Sequence, residues 1–290
     1  MTKFDPAWLY SMYNNRALVP DHEAHFSRWM TTSAQVRASQ PRILDLPYGE
    51  SQRETLDIFP VAQENASKQS TAPVIVFIHG GYWRSLDKSD HSFIAPSLTQ
   101  AGACVVVLNY DLCPAVTIPQ ITMQMVKALA WVYRNVKQYG GDPKRISVMG
   151  HSAGGHLAAM LLACTWKTYS PDLPADLVKK ALSISGLYDL EPLRHTPFLQ
   201  ESLKLTPQQV RLASPALLPR PEQGTLCSVA GADESAEFIR QNLMIQQAWG
   251  QKTVPVCETL PGLNHFSVLE ALPQKGHRLN TLALQLISDI

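Results

Sequence analysis

Residues 145–159, RISVMGHSAGGHLAA, place a serine between two glycines that stand two positions before and two positions after it. The apolar run at 146–149 predicts a short buried strand, and the small residues that follow predict the first turns of a helix. Backbone crowding on such a tight turn leaves no room for side chains at Gly150 and Gly154. The helix would aim its free N–H groups at the serine, where they favour the negative oxygen of an acyl-transfer reaction. Ser152 is therefore the candidate nucleophile.

A hydroxyl nucleophile needs a general base at neutral pH, and His265 is the candidate for that role. His265 follows the last predicted strand, at 254–260, so its loop should lie over the edge of the sheet that carries Ser152. An imidazole that acts as a base also needs an acceptor to hold its tautomer and to stabilise the imidazolium. That acceptor should lie in the loop after the preceding strand, which is predicted at 226–230.

Two acidic residues stand side by side in that loop, Asp233 and Glu234. The spacing from Gly231 favours Glu234, whereas aspartate is the commoner residue type in this role. The acid that is not used would oppose the dipole of the helix that starts near residue 235. Glu234 is therefore the predicted acid, with Asp233 as the alternative.

A second apolar strand, at 73–79, ends in the sequence His79-Gly80-Gly81-Tyr82-Trp83. The N–H of Ala153 is expected to form an oxyanion hole with the N–H groups of Gly81 and Tyr82, because the glycines let this backbone turn inward. Each such donor is typically worth about 10²–10³ in rate. Trp83 is a candidate for lining the substrate pocket, with core packing as an equal alternative.

Two further histidines lie close to these motifs and are expected to have structural roles. His79 should brace its loop by hydrogen bonding. His151 is adjacent to Ser152 on the turn, so its side chain should point away from the hydroxyl and pack in the fold.

The composition narrows the class of protein. With 290 residues, 45% of them hydrophobic, the chain can form one domain with a large core and a modest cap. The net charge is +1 and the sequence has no Lys/Arg cluster, so a basic surface for binding nucleic acid is not expected. No apolar run approaches the roughly 20 residues that cross a bilayer, and no hydrophobic signal core follows Met1. We expect a cytoplasmic protein with a small-molecule substrate and no membrane contact. The oligomeric state stays open, with a homodimer as one alternative.

Metal and cofactor sites are not expected. The five cysteines are scattered, odd in number and without CxxC pairs, which predicts buried free thiols. The nine histidines lack the H-E-x-x-H spacing of a zinc site.

Strands and helices alternate from residue 73 onward, which predicts an α/β fold with a doubly wound, mostly parallel sheet. An antiparallel pair at 43–48 and 54–59 should precede it, followed by a polar loop at 62–71. We predict a single domain, 1–290.

Two segments are candidates for the cap. Residues 1–45 predict one or two short helices that either roof the active site or fill a surface groove with their aromatic side chains. The excursion at 188–220, rich in proline and leucine, predicts further short helices.

The chain resembles the α/β-hydrolase superfamily, and within it the branch of hormone-sensitive-lipase-type esterases and kynurenine formamidases. The nucleophile, the acid and the histidine also follow one another in the order of that superfamily. The resemblance extends from about residue 50 to the end. The matching motifs are HGGYW at 79–83, NYDLCP at 109–114, GDP at 141–143, GHSAGG at 150–155, ESAEF at 234–238 and HF at 265–266.

This resemblance implies an α/β-hydrolase fold with a small helical cap and a serine hydrolase that uses no cofactor. It implies a small aryl formamide such as N-formylkynurenine as substrate, with Gly81 and Tyr82 supplying oxyanion amides. A carboxylesterase of short-chain or aryl esters is the close alternative. Animal members carry aspartate where Glu234 aligns. A non-catalytic binding protein of the same fold is the remote alternative; such proteins usually lack the nucleophile or the histidine, and this chain has both.

Overall fold

The computed structural model describes residues 4–62 and 71–288. Its centre is one eight-stranded sheet. The strands are β1 (Ile43–Pro47), β2 (Thr55–Phe59), β3 (Ala72–Ile78), β4 (Cys104–Leu108), β5 (Gly141–His151), β6 (Lys180–Ile184), β7 (Thr225–Gly231) and β8 (Val256–Leu260). Their order is β1-β2-β4-β3-β5-β6-β7-β8. The interior of the polar loop expected at 62–71 lies outside the described residues.

The pairing confirms the predicted doubly wound, mostly parallel sheet. β1 pairs antiparallel with β2, and β2 pairs antiparallel with β4. From β4 to β8 all pairings are parallel. All five residues of β4 are buried, as expected of a parallel strand with helices on both faces. Because these strands run in one direction, the loops after β3, β5, β7 and β8 leave the same edge of the sheet.

Helices cover both faces of this sheet. They are α1 (Pro6–Tyr13), α2 (Asn15–Leu18), α3 (His22–Ser39), α4 (Ala95–Gln100), α5 (Ile118–Asn135), α6 (Ala153–Leu162), α7 (Trp166–Tyr169), α8 (Glu191–Arg194), α9 (Pro197–Leu203), α10 (Pro207–Ala213), α11 (Ala236–Trp249), α12 (Ser267–Glu270) and α13 (Arg278–Gln285). Alternate side chains of β3 divide between two cores: Val74 and Val76 join α5, α6 and α11, whereas Ile75 and Phe77 join α3, α4 and α13.

The N-terminal segment differs from the expectation of one or two short helices. It forms three helices, and α3 is 18 residues long. The residues that α3 buries are His25, Trp29, Ser33 and Val36. Half of this buried stripe is polar, so the apolar periodicity that predicts helices is too sparse here to reveal its length.

The excursion after β6 carries the short helices α8, α9 and α10, as expected. α12 was not predicted, because one turn of helix is too short to give a periodic pattern. In the two described stretches, no helix is both long and apolar enough to cross a membrane. All five cysteines are free thiols.

Candidate active site

Ser152 occupies a strained turn between β5 and α6. Its backbone has φ 57° and ψ −117°, a conformation that non-glycine residues rarely adopt and that costs of order 1–3 kcal/mol. A Cβ at Gly150 would lie 2.2 Å from the carbonyl oxygen of Gly154, and one at Gly154 would lie 2.0 Å from that of Ile78. Both positions therefore need glycine, as the sequence predicts.

The structure brings Ser152, His265 and Glu234 into one hydrogen-bonded line. Nε2 of His265 lies 3.1 Å from the Ser152 hydroxyl, and Nδ1 lies 2.7 Å from Oε2 of Glu234. Because a carboxylate only accepts, Nδ1 carries the proton and donates it to Glu234. The lone pair of Nε2 is then free to accept the proton of Ser152.

The structure selects Glu234 rather than Asp233 as the partner of His265. The other carboxylate oxygen of Glu234 accepts from the N–H of Gly231 at 2.7 Å and from the hydroxyl of Ser185 at 2.5 Å. Asp233 is exposed. Sequence reasoning missed Ser185, which follows β6 and has a left-handed φ of 54°. An unusual backbone angle in a serine leaves no signal in a single sequence.

The residues predicted to supply the oxyanion amides lie near Ser152. Ala153 is the first residue of α6, and Gly81 and Tyr82 line the same cavity as the Ser152 hydroxyl. Within residues 4–62 and 71–288, none of the three N–H groups donates to a protein acceptor. Gly81 has φ 104°, and a Cβ there would lie 2.3 Å from the carbonyl oxygen of Ser85. The residue must therefore be glycine for the loop to make this turn.

The pocket role considered for Trp83 is wrong. Trp83 is fully buried, is absent from the cavity wall and packs edge-on against His156 with the ring centroids 4.9 Å apart. Its φ of 55° follows left-handed values at Gly81 and Tyr82. Three consecutive residues with left-handed backbone angles form a tight turn. On this turn the side chain of Trp83 lies in the core, whereas Tyr82 lines the cavity.

The two adjacent histidines have structural positions. Nδ1 of His79 lies 2.8 Å from the Gly80 carbonyl oxygen, and its ring stacks on Tyr110 at 4.3 Å. Burial lowers the pKa of His79 to about 4. His151 donates from Nε2 to the carbonyl oxygen of His265 at 2.8 Å. Burial, and next the neighbouring His265, lower the pKa of His151 well below its usual value. Both imidazoles are therefore neutral at pH 7, and His151 braces the backbone of the candidate base.

A cavity of about 480 Å³ opens onto Ser152 and His265. Its far walls come from both candidate cap segments. The N-terminal segment contributes residues of α2 and α3, and α9 contributes Phe198. Part of the wall is aromatic, from the side chains of Phe26, Trp29, Tyr82, Phe198 and Phe266, and such a surface suits a flat aryl group.

The N-terminal helices are fastened to the loop that carries the oxyanion donors. The hydroxyl of Tyr82 donates to the carbonyl oxygen of Tyr13 at 2.7 Å. The Tyr13 hydroxyl in turn donates to Glu237 of α11 at 2.6 Å and accepts from Gln241 at 3.2 Å. Glu237 and Gln241 therefore hold the end of α1 against the body of the protein. This set of contacts is called the Tyr13 anchor below.

No group of three or more His, Cys, Asp or Glu residues that could hold a metal ion occurs in the described part of the chain. The groups brought together around Ser152 are its hydroxyl, the imidazole of His265, the carboxylate of Glu234 behind that imidazole, and the candidate oxyanion amides. This set is suited to acyl transfer through a serine nucleophile.

Curated relatives agree with this chemistry. A kynurenine formamidase of Danio rerio is 30% identical over 270 residues, which cover 91% of this chain and 88% of the relative. The chain belongs to the kynurenine formamidase family. A Drosophila melanogaster member is 30% identical over 237 residues, covering 78% of this chain and 75% of that one. The BD-FAE family model matches residues 56–190, the part from β2 to the loop after β6.

Solved structures place this family member in the α/β-hydrolase fold. A candidate thioesterase from Silicibacter superposes with a TM-score of 0.82 at 28% identity, over 97% of this chain and 99% of that one. Esterase B of Lactobacillus rhamnosis superposes with a TM-score of 0.69 at 18% identity, over 95% and 94% of the two chains, which shows the fold alone. The expectation of an enzyme of the serine-hydrolase type is confirmed.

Proposed function

We propose that the protein is an arylformamidase that cleaves a small aryl formamide, with N-formylkynurenine as the model substrate. The observation that carries this proposal is the hydrogen-bonded line from Ser152 through His265 to Glu234, which lies beside a cavity with a partly aromatic wall in a member of the kynurenine formamidase family. Because formyl is the smallest acyl group, most of the cavity volume would be available to the aryl group.

In the acylation step, Ser152 Oγ attacks the formyl carbon while Nε2 of His265 takes the hydroxyl proton. The carbonyl oxygen becomes negative and is stabilised by the amides of Ala153, Gly81 and Tyr82. His265 then donates its proton to the leaving aryl amine, and the C–N bond breaks. Ser152 is left as a formyl ester.

In the deacylation step, water attacks the formyl ester while His265 takes one of its protons. The tetrahedral intermediate collapses, formate leaves, and the proton returns from His265 to the Ser152 oxygen. Glu234 holds the same imidazole orientation through both steps, because its second oxygen is fixed by Gly231 and Ser185.

A carboxylesterase is the second candidate function. The same groups cleave an activated ester, and other relatives include an esterase of Mycobacterium tuberculosis that is 33% identical over half of this chain. A panel of aryl formamides and p-nitrophenyl esters separates the two. Turnover of a butyryl ester without turnover of any formamide would leave the esterase and reject the arylformamidase.

Ser152→Ala tests the shared mechanism. We expect kcat to fall by about 10⁶-fold on formamides and esters alike, and a fluorophosphonate probe to label the parent at Ser152 but not the variant. Undiminished turnover by Ser152→Ala would reject this serine as the nucleophile. Failure of the probe to label the parent would favour the binding-protein alternative.

We further propose that the N-terminal helices and the 188–220 excursion act as the cap of a single domain, and that the enzyme works in the cytoplasm. The free thiols support a reducing compartment. Cell fractionation tests the location. A homodimer remains one possible oligomeric state, and analytical ultracentrifugation would measure the molecular mass in solution.

A further inference from the structure

The imidazole of His265 makes ring contacts as well as hydrogen bonds. The ring of Phe238 lies 4.5 Å from it, centroid to centroid, and is inclined to it by 57°. The imidazole of His151 lies 4.9 Å away and is inclined by 43°. Phe238 is 0% exposed and His265 is 4% exposed, so their contact lies in the protein interior. The candidate general base is therefore packed on its ring and hydrogen-bonded at its edge.

Phe238 belongs to the same helix terminus as Glu234. It is the third residue of α11, and its backbone N–H donates to the hydroxyl of Ser235, which caps that helix. Its ring is backed by the ring of Tyr13 at 5.9 Å between centroids, and the Tyr13 anchor holds that ring in turn. Glu234 and Phe238 therefore both reach His265 from the beginning of α11.

His265 loses one of its two hydrogen bonds during the reaction. Nε2 accepts from the Ser152 hydroxyl, and Nδ1 donates to Glu234. Once Ser152 carries the acyl group, its oxygen has no proton to donate to Nε2. An imidazole that keeps only the hydrogen bond at Nδ1 can swing about that contact, which moves Nε2 away from the attacking water. A packing contact on the ring opposes this movement, and small errors in such positions are costly in rate.

Phe238 can hold the imidazole without touching the substrate. It is not among the described residues that line the cavity over Ser152. His151, by contrast, lines that cavity and also donates to the backbone of His265, so a change at His151 would alter several contacts at once. Phe238 is therefore the residue at which ring packing can be tested separately.

We propose that Phe238 is a positioning residue, whose ring keeps Nε2 of His265 directed at Ser152 in acylation and at the attacking water in deacylation. The inference rests on the acyl-transfer mechanism of the proposed function, and it applies to formamide and ester substrates alike. Because the contact acts on the general base and not on the substrate, its loss should lower kcat without raising KM.

Phe238→Leu removes the ring and keeps a buried apolar side chain. We expect kcat to fall about tenfold, the rate equivalent of one aromatic contact, with a KM no higher than that of the parent. Steady-state kinetics on a formamide or ester that the parent cleaves measures this. The kcat is taken per active site, counted by complete labelling with a fluorophosphonate probe, so that misfolded molecules do not contribute. Phe238→Met serves in its place if the leucine variant does not fold.

The matched control is Phe59→Leu. Phe59 is 1% exposed and pairs with Val105 near the beginning of β4, at the edge of the sheet opposite the active site. Both variants should have a lower free energy of unfolding in urea, and only Phe238→Leu should lose kcat. The parent value of kcat in Phe238→Leu, or an equal loss in Phe59→Leu, would overturn the positioning role.

Proton NMR gives a second measurement that needs no substrate. The Nδ1 proton that His265 donates to Glu234 is assigned by its absence in His265→Gln. We expect this proton to exchange with water faster in Phe238→Leu than in the parent, because the ring moves more freely, and at the parent rate in Phe59→Leu. An unchanged exchange rate in Phe238→Leu would reject the positioning role alone, whereas turnover retained in Ser152→Ala would reject the mechanism of the proposed function.

Discussion

Glu234 is held from three directions. His265, Ser185 and the backbone of Gly231 all donate to its carboxylate. A carboxylate fixed in this way allows the imidazole only the tautomer with the proton on Nδ1. The glutamate side chain is one methylene longer than aspartate, and the contact with Ser185 fixes the end of that longer chain.

Glu234→Gln should lower kcat by about 10³–10⁴-fold, because the amide can donate to Nδ1 and so stabilise the wrong tautomer. Steady-state kinetics on a formamide or an ester measures this. The control is Asp233→Asn, at the exposed neighbouring acid, which should keep the parent kcat. Equal losses in the two variants would contradict the assignment.

At the residue scale, sequence reasoning located Ser152, His265 and Glu234, because their spacing from glycines and strand ends reflects local backbone geometry. It did not decide the position of Trp83. The direction of that side chain depends on three successive residues with left-handed backbone angles. In a sequence, only glycine indicates that such a conformation is expected.

At the scale of elements, the Tyr13 anchor joins the N-terminal helices to the catalytic machinery. Tyr82 supplies a candidate oxyanion amide through its backbone and binds the end of α1 through its side chain. The docking of α1 on α11 therefore bears on the geometry of the oxyanion hole.

Tyr82→Phe keeps the ring and the backbone amide and removes the hydrogen bond to Tyr13. The loss of a hydrogen bond worth about 1 kcal/mol should lower kcat roughly fivefold, because the loop amides become less well fixed. The control is Tyr169→Phe, at an exposed tyrosine on α7. An unchanged kcat with a raised KM would instead assign the Tyr82 hydroxyl to substrate binding.

Helices and strands whose apolar residues recur at regular intervals could be predicted from the sequence. The length of α3 could not. The alternation of buried strands and amphipathic helices after residue 73 follows from burial on both faces of a sheet. α3 buries a histidine and a serine in its contact stripe. Their burial depends on partners far along the chain, as when Ser33 accepts from the N–H of Phe93 at 3.0 Å.

At the scale of the whole molecule, buried neutral histidines make stability depend on pH. Burial lowers the pKa of His79 and His156 to about 4, and that of His91 to about 3. An unfolded chain protonates these side chains below about pH 6.5. Between about pH 6.5 and 4 the unfolded state therefore binds more protons than the folded state, and the free energy of unfolding falls as the pH falls.

His156→Gln should flatten this dependence. His156 donates to the Ala213 carbonyl oxygen at 2.7 Å, and glutamine keeps a donor at that site. We expect the slope of unfolding free energy against pH to decrease by about 1.4 kcal/mol per pH unit between about pH 6.5 and 4. Urea unfolding at several pH values measures it. Parallel curves for parent and variant would show that His156 does not contribute.

The origin of the cavity walls has a consequence for how the enzyme can change. The candidate reacting groups lie within residues 81–265, whereas much of the cavity wall belongs to the first 30 residues. The candidate catalytic groups and much of the cavity wall therefore belong to separate segments of the chain, which the Tyr13 anchor connects. A chimaera carrying the leading helices of another family member is expected to acquire that member's preferences while keeping its own hydrolytic apparatus.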